Sequence, residues 1–208
     1  RESLDALDRA SEIWRRLRNR RGECRCLILG SGSLCSLERE DDALADLQRA
    51  LEIAADINYD MGRADAEANI AFALQAQERF PEAMQRAERS YVLYEKMGDR
   101  LGQANSLLYQ GLSALSLDNP QKAKSLGERA LALFQDVQFG QGEGEAFLLL
   151  ASVAFSLGHS EEAEGRATRA LTTFEAAQFV RGQANARNVM STLKMVQGDA
   201  GTARHEAV

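Results

Sequence analysis

Residues 83–123 read AMQRAERSYVLYEKMGDRLGQANSLLYQGLSALSLDNPQKA, and the stretch begins and ends on members of one alanine column. That column repeats every 40 residues at Ala43, Ala83, Ala123, Ala163 and Ala203. A glycine column keeps the same step at Gly22, Gly62, Gly102, Gly142 and Gly182. A fixed period in this range predicts stacked supersecondary units whose neighbours share one continuous core.

The composition narrows the class of protein. The 208 residues are 45% hydrophobic and 27% charged, with two prolines and only 6% aromatics, which predicts a folded helical chain. No apolar run approaches the ~20 residues of a membrane span, and we expect no membrane partner. The net charge of −6 argues against direct contact with nucleic acid. Three cysteines without CxxC spacing favour a reducing compartment, so we expect a cytoplasmic protein.

The period divides the chain into one predicted array over residues 1–208. A leading helix covers 1–21, four repeats cover 22–61, 62–101, 102–141 and 142–181, and a partial repeat covers 182–208. Each repeat is predicted to hold a helix A that begins after the recurring glycine, a short polar turn and a helix B. In the partial repeat we place the turn at Gly198 and Asp199, followed by a helix cut off at Val208. The recurring glycine fits either a positive φ or a close approach of the backbone.

Matched small and large columns predict how the two helices of a repeat pack. Small residues recur within helix B at Ala50, Ser90, Ala130 and Ala170, and within helix A at Ala71, Gly111, Ala151 and Ser191. A bulkier column runs through Trp14, Ala54, Tyr94, Phe134 and Phe174. Small residues at matched places let two antiparallel helices approach closely, while the large ones fill the space between them.

This plan resembles the tetratricopeptide repeat family, in the lengthened form found in polarity scaffolds and bacterial signalling regulators. The likeness rests on the small residue in helix A, the alanine that starts helix B, and the segment from Lys96 to Ala104. It implies an all-α fold, a right-handed superhelix of antiparallel helix pairs (an α-solenoid). The sequence departs from the family pattern at Glu67 and Arg187, where a large or aromatic residue is usual.

The resemblance also implies a binding face, because family members that bind peptides use the concave face lined by the A helices. Carried onto this chain, the peptide-binding residues are Asn69, Phe72, Asn105, Leu108, Tyr109, Leu112, Leu148, Phe155, Asn185 and Asn188. An asparagine amide both donates and accepts, so it can hold the backbone of an extended peptide. The alternative is that these asparagines simply suit a polar helix face.

Two further features leave alternatives open. Residues 146–155 are apolar on nearly every side, which indicates either deep core or a ligand groove or self-association patch. A basic cluster, Arg15, Arg16, Arg18, Arg20, Arg21 and Arg25, fits either an acidic partner or a solvated helix end.

Nothing in the sequence requires an enzyme, a metal or a cofactor, and we expect none. His159 and His205 have no obvious companion for acid–base or metal chemistry. The glycines from Gly140 to Gly144 lack the strand and lysine of a nucleotide loop. The sequence therefore predicts a protein–protein interaction module that binds a peptide or helix, as a regulatory part of a larger bacterial signalling protein. The alternative is a homodimerisation module for an attached output domain.

Overall fold

The computed structural model describes residues 2–206, with side chains described for residues 6, 7 and 9–196. The described residues form ten α-helices and no strand, which confirms the all-α fold class. The helices are α1 (Glu2–Arg16), α2 (Arg20–Cys35), α3 (Glu40–Asp56), α4 (Asp60–Ala76), α5 (Phe80–Met97), α6 (Arg100–Ser116), α7 (Pro120–Asp136), α8 (Gly140–Ser156), α9 (Ser160–Ala176) and α10 (Val180–Glu206). Helices α2, α4, α6, α8 and α10 are the A helices, and the odd-numbered ones from α3 are the B helices.

The turns between helices repeat at half the sequence period. A residue with positive φ recurs every 20 residues, at Arg18, Glu38, Asn58, Glu78, Gly98, Asp118, Gln138, Gly158 and Gln178. After α4, Arg79 N donates to Leu74 O at 2.9 Å and Glu78 N donates to Gln75 O at 3.0 Å. This pattern caps the last carbonyl groups of a helix and reverses the chain within a few residues. Every A–B and B–A connection up to α10 therefore uses the same short turn, which makes successive helices antiparallel.

The recurring glycines serve close approach and lie within the first turn of each A helix. A methyl group at Gly142 would lie 2.3 Å from Phe134 Cε1, and one at Gly102 would lie 2.3 Å from Tyr94 Cδ1. Real Cβ atoms do not come so near another heavy atom, so the ring of the preceding B helix requires a glycine beneath it. In α3 the ring is missing, since the large column holds Ala54, and Tyr59 from the following turn covers Gly62 instead. The positive φ predicted as an alternative for these glycines occurs at the turn residues.

The helices group into two compact units, one ending at Ser113 and the other beginning at Ala114. In the first unit α1 to α4 each pack on the next helix, and α2 also packs on α4. Its main core contains Leu47, Ile53 and Ile70 together with several alanines. In the second unit α7 to α10 pack in the same order, and α8 also packs on α10. Two cores there are built around Phe147 with Phe174 and around Ala151 with Leu193.

The final predicted turn does not form. Helix α10 continues through Gly198 and Asp199 to Glu206, so the prediction of a turn followed by a B-helix fragment is wrong. Residues 199–208 read DAGTARHEAV and contain few large apolar side chains. A returning helix would bury little apolar surface, whereas continuing α10 adds one backbone hydrogen bond for each residue.

None of the helices described here is both long and apolar enough to cross a bilayer.

Candidate functional site

The predicted binding residues of the first unit lie on two A helices that are tied together. Asn69 and Phe72 on α4, and Asn105, Tyr109 and Leu112 on α6, are each half-buried. Each of these side chains is partly accessible to solvent and partly covered by the rest of the fold. Leu108 differs, because only 2% of it is exposed and it belongs to the core.

A polar side chain fixes the spacing of these two helices. The side-chain amide of Gln75 donates to Tyr109 O at 2.7 Å and lies 3.2 Å from Ser113 Oγ. The rings of Phe72 and Tyr109 are neighbours, with centroids 6.1 Å apart and planes tilted by 44°. This is a favourable distance for an aromatic pair, so the two rings form one apolar patch flanked by Asn69 and Asn105.

A hydrogen bond between the buried Tyr94 and the half-buried Asp65 links α5 to the first half of α4. Tyr94 Oη on α5 donates to Asp65 Oδ1 at 2.5 Å, and Asn69 Nδ2 donates to Asp65 O at 2.8 Å. Burial raises the pKa of Asp65, although the hydrogen bond from Tyr94 opposes that change. Burial, and then the neighbouring Asp65, raise the pKa of Tyr94, so the phenol remains the donor. Asn69 therefore has its amide nitrogen engaged within its own helix.

In the second unit the predicted residues fall into two groups. Leu148 and Phe155 are half-buried against the cores around Phe147 and Ala151. Asn185 and Asn188 on α10 are exposed. The apolar stretch 146–155 is mostly core, because Phe147, Leu149, Leu150 and Val153 are buried. Of the two alternatives for this stretch, deep core accounts for most of its side chains.

The acid at position 67, where the family pattern has a large or aromatic residue, belongs to a cluster of charged side chains. Glu67 on α4 is 8% exposed, and its Oε2 accepts from Arg86 Nη1 at 3.0 Å. Arg89 Nη1 lies 3.9 Å from Glu67 Oε1. Both arginines come from α5, which packs on α4. The signal in the sequence was an acid at a core position, and its partners become evident only once α4 and α5 are placed side by side.

A cleft opens beside this cluster in the first unit. It has a volume of about 480 Å³ and lies between α3, α4 and α5. Its apolar lining comes from Leu51, Val92 and Leu93, and its polar lining from Arg63, Glu67, Gln85, Glu88 and Arg89. A volume of this size is within the range of small-molecule sites.

The basic cluster near α1 is largely engaged within the chain. Arg15 Nε and Arg20 Nη1 lie 3.3 and 3.5 Å from the buried carboxylate of Glu23. Arg20 also pairs with Asp56 at 3.1 Å, and the Arg21 guanidinium lies 4.5 Å from the centre of the Tyr59 ring. These contacts favour a structural role for this cluster over a partner site.

The remaining candidates for chemistry have structural explanations. Gly142 and Gly144 lie beneath the rings of Phe134 and Phe174. Cys24 is fully buried, and burial raises the pKa of its thiol to about 11, which keeps it protonated and unreactive.

His159 lies 3.7 Å from Glu162 at the start of α9, and the side chain of His205 lies outside the described residues. Among the described side chains, no group of three or more His, Cys, Asp or Glu could hold a metal ion.

Comparison with known proteins agrees with this geometry. The family model for the tetratricopeptide repeat matches residues 62–136, which include α5, α6 and α7 in full. None of the curated proteins compared with the chain is similar to it in sequence.

Solved structures share the fold at low sequence identity. A Signal Transduction ATPase with Numerous Domains protein with a tetratricopeptide repeat sensor, from Pyrococcus horikoshii, has a TM-score of 0.67 at 22% identity. The match covers 82% of this chain and 27% of that one. Aspartyl phosphate phosphatase F from Bacillus subtilis has a TM-score of 0.78 at 15% identity, covering 96% of this chain and 54% of that one. A Rap protein complexed with Competence and Sporulation Factor has a TM-score of 0.66 at 14% identity, covering 94% and 59%.

The chain thus spans about a quarter to three fifths of the length of these three proteins. Its helix pairs, its 40-residue step and the family match point to the same conclusion. Residues 62–136 match the tetratricopeptide repeat family, and the helix pairs share the fold of solved structures that contain this repeat.

Proposed function

We propose that this chain is a protein-interaction module that binds a peptide or a helix along the exposed side of α4 and α6, as a regulatory part of a signalling protein. The observation that carries the proposal is the half-exposed patch of Phe72 and Tyr109, flanked by Asn69 and Asn105. Aromatic side chains with amide neighbours can bury the apolar side of a peptide and hydrogen-bond its backbone.

The face is already ordered before a partner arrives. Gln75 ties α4 to α6 through the Tyr109 carbonyl, and Tyr94 ties α5 to α4 through Asp65. A surface held in place by such bonds loses little conformational entropy on binding, which favours affinity. The proposal requires no catalytic group.

Two structural neighbours give the proposal its regulatory context. One contains a tetratricopeptide repeat sensor within a signal-transduction ATPase, and the other is a Rap protein in complex with Competence and Sporulation Factor. The first name places a tetratricopeptide repeat sensor in a signal-transduction protein, and the second describes a complex with a factor. We extend that role, but not their ligands, to this chain.

The test is selection of peptides from a random display library on the wild-type protein, followed by affinity measurement with the consensus peptide by fluorescence polarisation. We expect the triple variant Asn69→Ala, Asn105→Ala, Leu112→Ala to bind the peptide at least ~10-fold more weakly, a loss of about 1.4 kcal/mol. Circular dichroism would establish that the variant is folded.

The matched control replaces three exposed polar residues on B helices, Gln48→Ala, Gln121→Ala and Ser125→Ala. This control should leave the affinity unchanged. Equal affinity of the wild type and the α4–α6 variant for the selected peptide would refute the proposed face.

Homodimerisation is the second candidate, and one observation favours it. Val180 and Met195 on α10 are 75% and 67% exposed, which is unusual for large apolar side chains. Light scattering over a range of micromolar concentrations would detect a dimer, and Met195→Glu should then shift the mass towards the monomer. A mass that stays monomeric at all concentrations would exclude this candidate.

A further inference from the structure

The cleft between α3, α4 and α5 shares no lining residue with the peptide face proposed above and has its own chemistry. Its apolar wall is made by Leu51 on α3 and by Val92 and Leu93 on α5. Arg63 on α4 and Arg89 on α5 stand at its polar side. The two kinds of wall would contact the two ends of an amphiphilic molecule.

The arginines in the cleft have donor capacity that the fold does not use. Arg86 already neutralises the buried Glu67 carboxylate through a 3.0 Å hydrogen bond. Arg89 lies 3.9 Å from the same carboxylate, which is beyond hydrogen-bond distance. The Arg63 guanidinium lies at a long 3.4 Å from the exposed Asp60 carboxylate. A guanidinium carries five N–H donors that suit a carboxylate, so both arginines can accept a new anion.

The corresponding place in the second unit shows why the cleft is open. Phe147 on α8 is the counterpart of Glu67, two repeats or 80 residues later, and it is 1% exposed. Arg169, the counterpart of Arg89, lies over its ring at 4.6 Å. There the ring fills the space and engages the arginine. In α4 the shorter, charged Glu67 leaves space beside it, and Arg89 lies 3.9 Å from its carboxylate without a hydrogen bond to it.

We propose that this cleft binds a molecule with an apolar body that ends in a carboxylate. Arg63 and Arg89 hold the carboxylate, and Leu51, Val92 and Leu93 cover the apolar body. Glu67 is a positioning residue that holds Arg86 and draws Arg89 towards the cleft. Glu88 at the rim carries a like charge, so it weakens the attraction and sets an upper limit on affinity.

The test uses sodium octanoate as the probe and octanamide as its uncharged counterpart, measured by isothermal titration calorimetry on the whole chain. We expect octanoate to bind at one site and octanamide to bind at least ten times more weakly. The double variant Arg63→Gln, Arg89→Gln should also lose at least ten-fold in octanoate affinity. Glu88→Gln should increase the affinity, because it removes a like charge at the rim. Glu67→Phe should abolish binding by filling the cleft.

Two controls keep the test decisive. Arg129→Gln changes the counterpart of Arg89 one repeat later and should leave octanoate affinity unchanged. Arg63→Lys with Arg89→Lys keeps the charge and should restore part of the affinity, which separates loss of charge from loss of folding. Equal binding of octanoate and octanamide, or full binding by a folded double glutamine variant, would overturn the proposal.

The source of the carboxylate is decided by a further arm with N-acetyl-Leu-Leu as the free acid and as its amide. Tighter binding of the dipeptide acid than of octanoate would assign the site to the C-terminus of a protein. The reverse order would assign it to a free acyl acid. Both results support an apolar carboxylate ligand, and a variant of the α4–α6 peptide face should bind each probe normally.

Discussion

Helix pairs α4–α5 and α8–α9 follow one plan, yet they use the same core position in opposite ways. In α4 that position is Glu67, a buried carboxylate that is paired with Arg86 and approached by Arg89. In α8 it is Phe147, whose ring is buried beneath Arg169. The second pair also has an arginine, Arg166, at the counterpart of Arg86, so the difference rests on one residue. The scaffold tolerates a buried acid here because cations from the neighbouring helix surround it.

The positions of Tyr94 and Asp65 also differ between the two helix pairs. Tyr94 on α5 donates its hydroxyl hydrogen to Asp65, two residues before Glu67. In the later pair the counterparts are Phe174, which has no hydroxyl to donate, and Glu145. Burial raises the pKa of Glu145, with Arg181 opposing, and Phe174 cannot give it the hydrogen bond that Tyr94 gives to Asp65. The first pair is thus organised by buried polar contacts and the second by aromatic packing.

The largest expected effect comes from removing the buried ring of Phe147 from the α8–α9 helix pair. Phe147→Glu should destabilise the chain by about 3–5 kcal/mol, since it removes a fully buried ring and leaves a cavity. Arg166 and Arg169 can pair with the new carboxylate, which should keep the loss at the lower end. Urea unfolding followed by circular dichroism measures it. Arg187→Gln, at the same repeat position in α10, is the control, and a similar loss there would contradict the packing argument.

The next effect tests how closely the ring approaches the backbone in the later pair. A methyl group at Gly144 would lie 2.4 Å from Phe174 Cε1, so Gly144→Ala should cost about 1–3 kcal/mol through overpacking. The counterpart in α4 is Ala64, which already carries a methyl group beside Tyr94. Gly165→Ala in α9 meets no atom within 4 Å and should instead stabilise the helix by about 1 kcal/mol. Equal effects of the two changes on the urea midpoint would refute the close approach.

Giving α4 the aromatic residue that α8 has at the same position should increase the stability of the chain. Glu67→Phe places a ring in the cleft and removes a buried charge, so we expect a gain of about 1–2 kcal/mol. Arg86 is partly exposed and can return to solvent without a large cost. Glu88→Phe, at the exposed rim, is the control and should give no comparable gain. A loss of thermal stability for Glu67→Phe would mean that the ion cluster itself holds α4 and α5 together.

The smallest effect is a pH dependence at Glu145. Its pKa in the folded state is raised above the ordinary 4.5, so the folded state holds the proton more tightly than the unfolded chain. The stability that this gives is present at low pH and is lost as the pH rises through the raised pKa. Glu145→Gln should therefore stabilise the protein at pH 7 and have little effect at pH 3. Glu128→Gln on α7, an exposed acid, should show no such difference in thermal unfolding between the two pH values.

Much of the fold could be predicted from the sequence because the relevant signals are local and repeat. The alanine column predicted close helix contacts, and Ala43, Ala83, Ala123 and Ala163 are all fully buried. Glycine at a 40-residue step predicted a close approach, and rings lie over these residues. The candidate face was less predictable. Five of its residues are half-buried side chains of α4 and α6, but Leu108 is core, because the distance between neighbouring helices decides which edge of a face is covered.

The sequence by itself therefore determined the repeat, the order of helices up to α10 and which residues share one face of each helix, since helical spacing fixes these within a few turns. Only the tertiary structure decided which side chains meet. It placed Tyr59 over Gly62 where Ala54 had left a gap, brought Arg86 to Glu67 across 19 residues, and opened a cleft beside them. It also continued α10 through the expected turn. These outcomes depend on contacts between helices, and such contacts exist only after each helix has been packed against its neighbours.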